Sequence, residues 1–448
     1  MTEQAATPQP QDAPAPVPFR TALAWWLKLG CISFGGPAGQ IAIMHRELVE
    51  KRRWISERRY LHALNYCMVL PGPEAQQLAT YIGYLMHGTK GAIAAGALFV
   101  LPSLLLLTGL SWLYLAFHDV PAMHTVLWAV KPAVVAIVLH AAWRIGTRTL
   151  KHPLLWAFAV AAFAAIALLA LPFPLVIALA ALAGWTGNRF LPAAFTAKAG
   201  HGAGSGRHAP ALIDDDTPVP AHARFSRARL LRVVAVFAAL WAGVLGLLWL
   251  CSADALVQMG LFFTKAALLT FGGAYAVLPY VTDAAVNQYH WATTAQVLDG
   301  LALGESTPGP LIMFVAFVGF VGGWTGNLLG DPLAGGVAAA CIATFFTFLP
   351  SFLFILAGTP LVEATREDFR IGAPLTAITA AVVGVIVNLA LFFAQHVFWP
   401  SGTDAMPDLP AVAIAVAAFV ALVRYDTGVV KVIAGCAVIG LLAATWPP

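Results

Sequence analysis

A chain of 448 residues is long enough for two or three soluble domains, but its 60% apolar and 10% charged residues and mean hydropathy of +0.80 exclude that class and place it in lipid. The net charge is only +4 and sits in loops, which excludes the concentrated basic face of a nucleic-acid binder. Its long apolar runs do not alternate with polar residues, so closed β-barrels are excluded and helices remain as the spanning element.

Residues 1–19 are rich in Pro, Ala and Gln and lack a basic n-region, which predicts a disordered tail and not a cleaved leader. Phe19–Met44 follows as an apolar segment interrupted at Gly35-Gly36-Pro37, a broken helix or hairpin. The loop His45–Arg59 holds six Lys and Arg residues. Tyr60–His87 is interrupted by Pro71-Gly72-Pro73, because proline removes a donor and bars the preceding residue from α geometry. That segment is expected to enter the membrane and return, leaving Lys90–Phe117 as the crossing helix.

Beyond it come the charge-poor His118–Thr125, the loop Arg144–Lys151 with three basic residues, and an apolar run at Leu154–Leu171. Pro192–Ala223, rich in Gly, His and Ala and carrying Asp214-Asp215-Asp216, reads as a solvated linker. Leu230–Leu250 is long enough to cross once more. Leu261–Thr282 breaks at Gly272-Gly273, and a second Pro-Gly-Pro stands at 308–310. Leu333–Gly358 and Ala411–Val423 are the last long apolar runs.

The order is a repeat. With a shift of 237, Lys28 falls on Lys265, Phe34-Gly35-Gly36 on Phe271-Gly272-Gly273, Trp54 on Trp291, and Pro71-Gly72-Pro73 on Pro308-Gly309-Pro310. Shifts of 248 and 256 then pair Leu101-Pro102-Ser103 with Leu349-Pro350-Ser351, and Gly184 with Gly440. The organisation is a tail at 1–19, a first repeat at 20–191, a cytoplasmic linker at 192–229, a connecting transmembrane helix at 230–256 and a second repeat at 257–446. Basic residues crowd His45–Arg59 and are missing from the equivalent Asp283–His290, and the bias alternates and reverses between the copies. Basic loops stay cytoplasmic, so the fold expected is an all-α polytopic membrane protein of two inverted-topology repeats with broken or re-entrant helices.

Each break presents a helix N-terminus with unpaired N–H groups, a natural seat for an oxyanion. The substrate-binding candidates are therefore Lys28, Gly35, Gly36, Gly72, Lys265, Gly272, Gly273 and Gly309. Snorkelling is the alternative for Lys28, and packing kinks for the breaks. Glu74, Gln77, Asn65, Glu305 and Thr307 are candidates for coupling or for lining a polar cavity, as are Gln76, Thr80, Ser306 and Asn388. Lys131 and Arg144 read as snorkelling residues at helix ends. No GxxxxGK[ST], HExxH or GxSxG occurs, and the five cysteines are scattered, so no cofactor, metal or catalytic residue is expected.

Phe34-Gly35-Gly36-Pro37, the basic loop with Trp54, Pro71-Gly72-Pro73 and their second copies resemble the chromate ion transporter family over nearly all of residues 20–446. The sequence resembles its long, two-domain bacterial form. The resemblance implies export of chromate across the bacterial inner membrane and chromate resistance, with sulfate as the isosteric relative. Alternating access by two halves rocking about a midplane site is the expected mechanism, and an anion channel or a carrier of another oxyanion is the alternative. The partners implied are chromate or sulfate and the lipid bilayer, with no nucleic acid; a homodimer is compatible with the sequence.

Overall fold

A computed structural model describes residues 14–34, 36–117, 120–195, 210–218, 220–271, 273–364, 372–400, 402 and 404–445. Among these residues there are seventeen α-helices, one isolated bridge and no strand. The all-α expectation holds. Five helices are long and apolar enough to cross a membrane, and shorter apolar helices accompany them.

The first half opens with two re-entrant pairs. α1 (Phe19–Ile32) enters from the end that carries the basic loop, and α2 (Gly36–Met44) leads back to it. α3 (Glu57–Val69) enters next, capped by Ser56, whose hydroxyl accepts from the Arg59 amide. The chain breaks at Pro71-Gly72-Pro73, and α4 (Glu74–Ala116) begins by returning to the basic end. It reverses at His87 and Gly88, the latter with φ +63°, so that Gly83 packs on Gly91 and Thr80 on Gly96 in antiparallel fashion. Val17 O accepts from the His87 ring at 2.9 Å, which fixes the start of α1 and this reversal at one end. Only then does α4 run the length of the molecule, as the charge pattern requires.

α5 (Pro121–Thr149), α6 (Pro153–Ala167) and α7 (Phe173–Phe190) run back and forth, each opened by a proline in its first turn. After the four-residue α8 (Pro192–Phe195), α9 (Arg227–Leu250) carries the chain to the opposite end. From there α10 (Asp254–Leu268), α11 (Leu278–Asp283), α12 (Thr294–Ser306) and α13 (Phe314–Thr325) repeat the two re-entrant pairs. α14 (Pro332–Ala364) returns to the basic end, and α15 (Gly372–Phe398), α16 (Leu409–Arg424) and α17 (Val429–Thr445) complete the second half. Glu363 on α14 meets Arg59, which confirms the end at which α14 finishes.

The repeat persists in detail. Trp54 packs edge-on against Trp25 and Trp26, and its counterpart Trp291 packs on Phe262 and Phe263 at the equivalent positions. Arg53 and His290 share a left-handed backbone, with φ of 51° and 53°. Ser33 and Thr270 each turn a hydroxyl back on the helix, donating to Leu29 O and Ala266 O.

The two halves are interlocked rather than side by side. The Gly72 amide donates to Thr270 O and the Gly309 amide to Ser33 O, both at 2.8 Å. Gly184 of α7 packs against the start of α15, and Gly440 of α17 against the start of α5. Small residues allow these close approaches, which replace the missing hydrophobic drive between helices in lipid. Packing therefore sorts the helices into two bodies that each draw on both halves. α1–α4 pack with α10, α13 and α14, whereas α5–α7 pack with α15–α17. Two polar clusters bind elements across the halves: Arg59 with Glu363 at 3.2 Å and Tyr81 with Glu363 at 2.5 Å, and, toward the opposite end, Tyr114 with Asp299 at 2.9 Å and Lys131 with Asp299 at 3.7 Å.

One expectation is corrected. Part of the linker, read as solvated, is docked: Leu212 and Ile213 amides donate to Arg53 O and Trp54 O, and Tyr84 donates to His222 O at 2.6 Å. Ile213 and Ala223 are buried, because two apolar side chains and a short run of backbone pairing suffice to hold a strap against the basic end.

Candidate functional site

The breaks decide where polar groups meet. Pro73 ends the first Pro-Gly-Pro and leaves Glu74 as the first residue of α4, so this carboxylate sits at a helix N-terminus. Gly273, with φ +102°, turns the chain out of the second Gly-Gly break, and a Cβ there would meet only Glu74 Oε1, at 3.8 Å. Two residues on, Tyr275 donates its hydroxyl to Glu305 Oε1 at 2.6 Å, and Glu305 on α12 is buried. One carboxylate from each half thus converges on the Gly273 turn.

Glu74, Gly273 and Tyr275 lie on a cavity of about 790 Å³ between the two bodies. Its hairpin wall carries Pro37, Ala42 and Met68, and its opposite wall is α5, with Arg144 and Arg148 one turn apart. The cavity opens at the basic end, where His45 is held between Glu57 at 2.5 Å and Glu50 at 3.1 Å. Arg144 is half-buried and lines the same cavity as Tyr275. Neither guanidinium has an ion-pair partner among the described residues. An unpaired guanidinium with a planar fork is suited to a tetrahedral oxyanion.

A second cavity of about 370 Å³ lies at the opposite end, again between the bodies, lined by Tyr280, Asp283 and Asn287 on one side and Asn388 and Phe392 on the other. Asn388, a candidate for lining a polar cavity or for a helix-to-helix hydrogen bond, lies on this one.

The other sequence candidates are distributed unevenly. Gly72 and Gly309 keep left-handed φ of 122° and 116°, but their amides are taken by Thr270 O and Ser33 O, so those two donors staple the halves together and do not face the cavity. The expectation that they are free for an anion is corrected by that pairing. Gly36 has φ +69° with open space around it, while Gly35 and Gly272 lie outside the described residues. Lys28 is on the exposed face of α1 and Lys265 on that of α10, its ammonium 5.8 Å from the Tyr280 ring; neither lines the larger cavity. Gln77 is buried and donates to Pro71 O at 2.7 Å, Thr307 donates to Gly304 O at 3.0 Å, and Asn65 is exposed on α3. Gln77 and Thr307 thereby brace the breaks. Sequence reasoning missed Tyr275 and took Arg144 for a snorkelling residue; the available signal was Arg144 and Arg148 at i, i+4, one face of a helix.

The chromate transporter family model matches residues 21–185 and 257–441, one match on each repeat. The chain belongs to this family. The transporter is 35% identical over 406 residues to a chromate transport protein of Pseudomonas aeruginosa, covering 88% of this chain and 86% of that one. It is 28% identical over 447 residues to a chromate transport protein of Cupriavidus metallidurans, covering 98% of both. An uncharacterized transporter of Methanocaldococcus jannaschii is 24% identical over 376 residues, 84% of each chain. No solved structure matches the transporter.

Proposed function

We propose that the transporter is a secondary carrier that exports chromate across the bacterial inner membrane and so confers chromate resistance. The observation that carries this reading is the cavity at the basic end, where two guanidiniums without ion-pair partners among the described residues stand above a floor made from the broken helices of both halves. The P. aeruginosa and C. metallidurans relatives are both chromate transport proteins.

The dianion enters from the cytoplasm past His45, exchanges water for Arg144 and Arg148, and reaches the Gly273 turn. Glu74 and Glu305 would repel it when ionised, so proton binding at these carboxylates and anion binding are linked. Export of two negative charges is favoured by an inside-negative potential, by about 4.6 kcal/mol per 100 mV. Access alternates as the hairpin body, α1–α4 with α10, α13 and α14, rocks against α5–α7 and α15–α17. The rocking units follow the packing and not the sequence halves, since the Gly72 and Gly309 staples tie the halves together.

The test is radiolabelled chromate uptake into everted membrane vesicles, with and without a pH gradient, with sulfate as competitor. Saturable, protein-dependent uptake with counter-flow is expected, and sulfate should compete as an isosteric dianion. Flux that fails to saturate would indicate a channel, and no protein-dependent flux would remove the reading.

A further inference from the structure

The two cavities occupy equivalent places in the repeat. Along the hairpin wall, Ala42, His45 and Glu50 of the larger cavity correspond by the shift of 237 to Pro279, Thr282 and Asn287 of the smaller. Along the other wall, Ala141 and Arg144 on α5 correspond by the shift of 248 to Leu389 and Phe392 on α15. One architectural element has been built twice, once at each end, and each copy lies at the seam between the same two bodies.

The side chains differ in one direction. No Lys, Arg or His is among the described residues lining the smaller cavity, where Phe392 stands in the place of Arg144. The charged group it does contain is Asp283, whose two oxygens accept from Asn287 and Gln288 at 2.8 Å. Just outside the lining, the Lys265 ammonium stands 5.8 Å from the Tyr280 ring and the His396 ring 4.4 Å from that of Phe392.

We infer that the 370 Å³ cavity is the release vestibule for the anion taken up through the larger cavity, and that replacement of Arg144 by Phe392 in the repeat makes it a weak site. The inference rests on the transport reading above and adds its sidedness. A rocking motion that closes the cytoplasmic cavity opens this one, and the dianion then faces a wall with Asp283 and, among the described lining residues, no Lys, Arg or His. Loss of a charge-assisted contact corresponds to a change of roughly ten-fold or more in affinity. The carrier should therefore hold its substrate tightly when facing the cytoplasm and loosely when facing outward.

The experiment measures the half-saturation of chromate transport from each face, in everted and in right-side-out vesicles, with the membrane potential clamped to zero. Wild type should saturate at roughly ten-fold or more lower chromate on the cytoplasmic face. Phe392→Arg should tighten the outer face by a similar factor and change it more than the cytoplasmic face, while Phe392→Leu, which keeps the wall apolar, should give no such tightening. Equal half-saturation on the two faces of wild type overturns the inference, as does a Phe392→Arg protein that reaches the membrane normally without tightening the outer face. If Phe392→Arg does not insert, the two-sided wild-type measurement decides alone. Arg144→Gln separates the two readings: an unchanged cytoplasmic half-saturation removes Arg144 from the uptake site, whatever the outer face shows.

Discussion

The re-entrant pairs of the two halves share a backbone and differ in their chemistry. Both break at Gly-Gly and at Pro-Gly-Pro, both clasp a tryptophan against two aromatic rings of their first helix, and each staples its Pro-Gly-Pro to a carbonyl of the other. Yet Glu74 corresponds to Leu311, Glu305 to Met68, Arg59 to Gln296, and on the walls Arg144 to Phe392. Duplication has kept the geometry that makes broken helices tolerable at membrane depth, and the functional groups lie where the copies diverge. The shared backbone breaks are therefore expected to govern assembly, and the divergent side chains on the cavity walls to govern transport.

The largest effect is expected at an asymmetric pair with a structural role. Arg59 and Glu363 are both buried, and Tyr81 also donates to this carboxylate. Glu363→Gln leaves the guanidinium uncompensated and should cost roughly 3–5 kcal/mol, seen as a lowered melting temperature in detergent. Lys131→Gln, at the half-exposed counterpart across from Asp299, should cost clearly less. Equal losses would mean that burial does not distinguish the two clusters.

Next come the symmetric staples. A Cβ on Gly72 would sit 2.4 Å from Ser351 Oγ, and one on Gly309 would sit 2.5 Å from Ser103 Cβ. Gly72→Val and Gly309→Val combine that overpacking with a left-handed φ and should each cost roughly 2–4 kcal/mol. The check is folded protein recovered by size exclusion, where the two variants should fail alike. A well-folded Gly72→Val protein without transport would instead make the break a direct part of the anion site.

Smaller still, Arg144→Gln should raise the half-saturation for chromate about ten-fold with little change in stability. Arg148→Gln should do less, since Arg148 is exposed nearer the cavity mouth. The smallest effect is expected at the symmetric lysines. Lys28→Gln and Lys265→Gln remove exposed charges and should shift half-saturation by less than about two-fold, and a large shift at Lys28 would place the anion path outside the cavity.

Much of this architecture was legible in the sequence because proline and glycine impose local backbone consequences wherever they stand. The Pro-Gly-Pro break, the return of the chain before α4 crosses, and the reversal of the second copy follow from residue chemistry and loop charge alone. The partner of each break was not legible. That Gly72 donates to Thr270 depends on how two distant hairpins cross, and no local pattern encodes it. Arg144 failed for the same reason: a basic residue near a helix end snorkels if its helix face meets lipid and lines a path if it meets a seam between bodies. The linker misled because its composition is polar, while Leu212 and Ile213 were enough to dock it.

The central claim is that chromate enters from the cytoplasm through the cavity between the bodies. Ala42 is exposed on its hairpin wall, so Ala42→Cys, made with the five native cysteines replaced, can be titrated with an impermeant anionic thiol reagent while chromate transport is followed. The account predicts that the reagent blocks transport in everted vesicles, that saturating chromate slows the modification, and that right-side-out vesicles are unaffected. Modification from the outer face, or a modification rate in everted vesicles that chromate leaves unchanged, would contradict it.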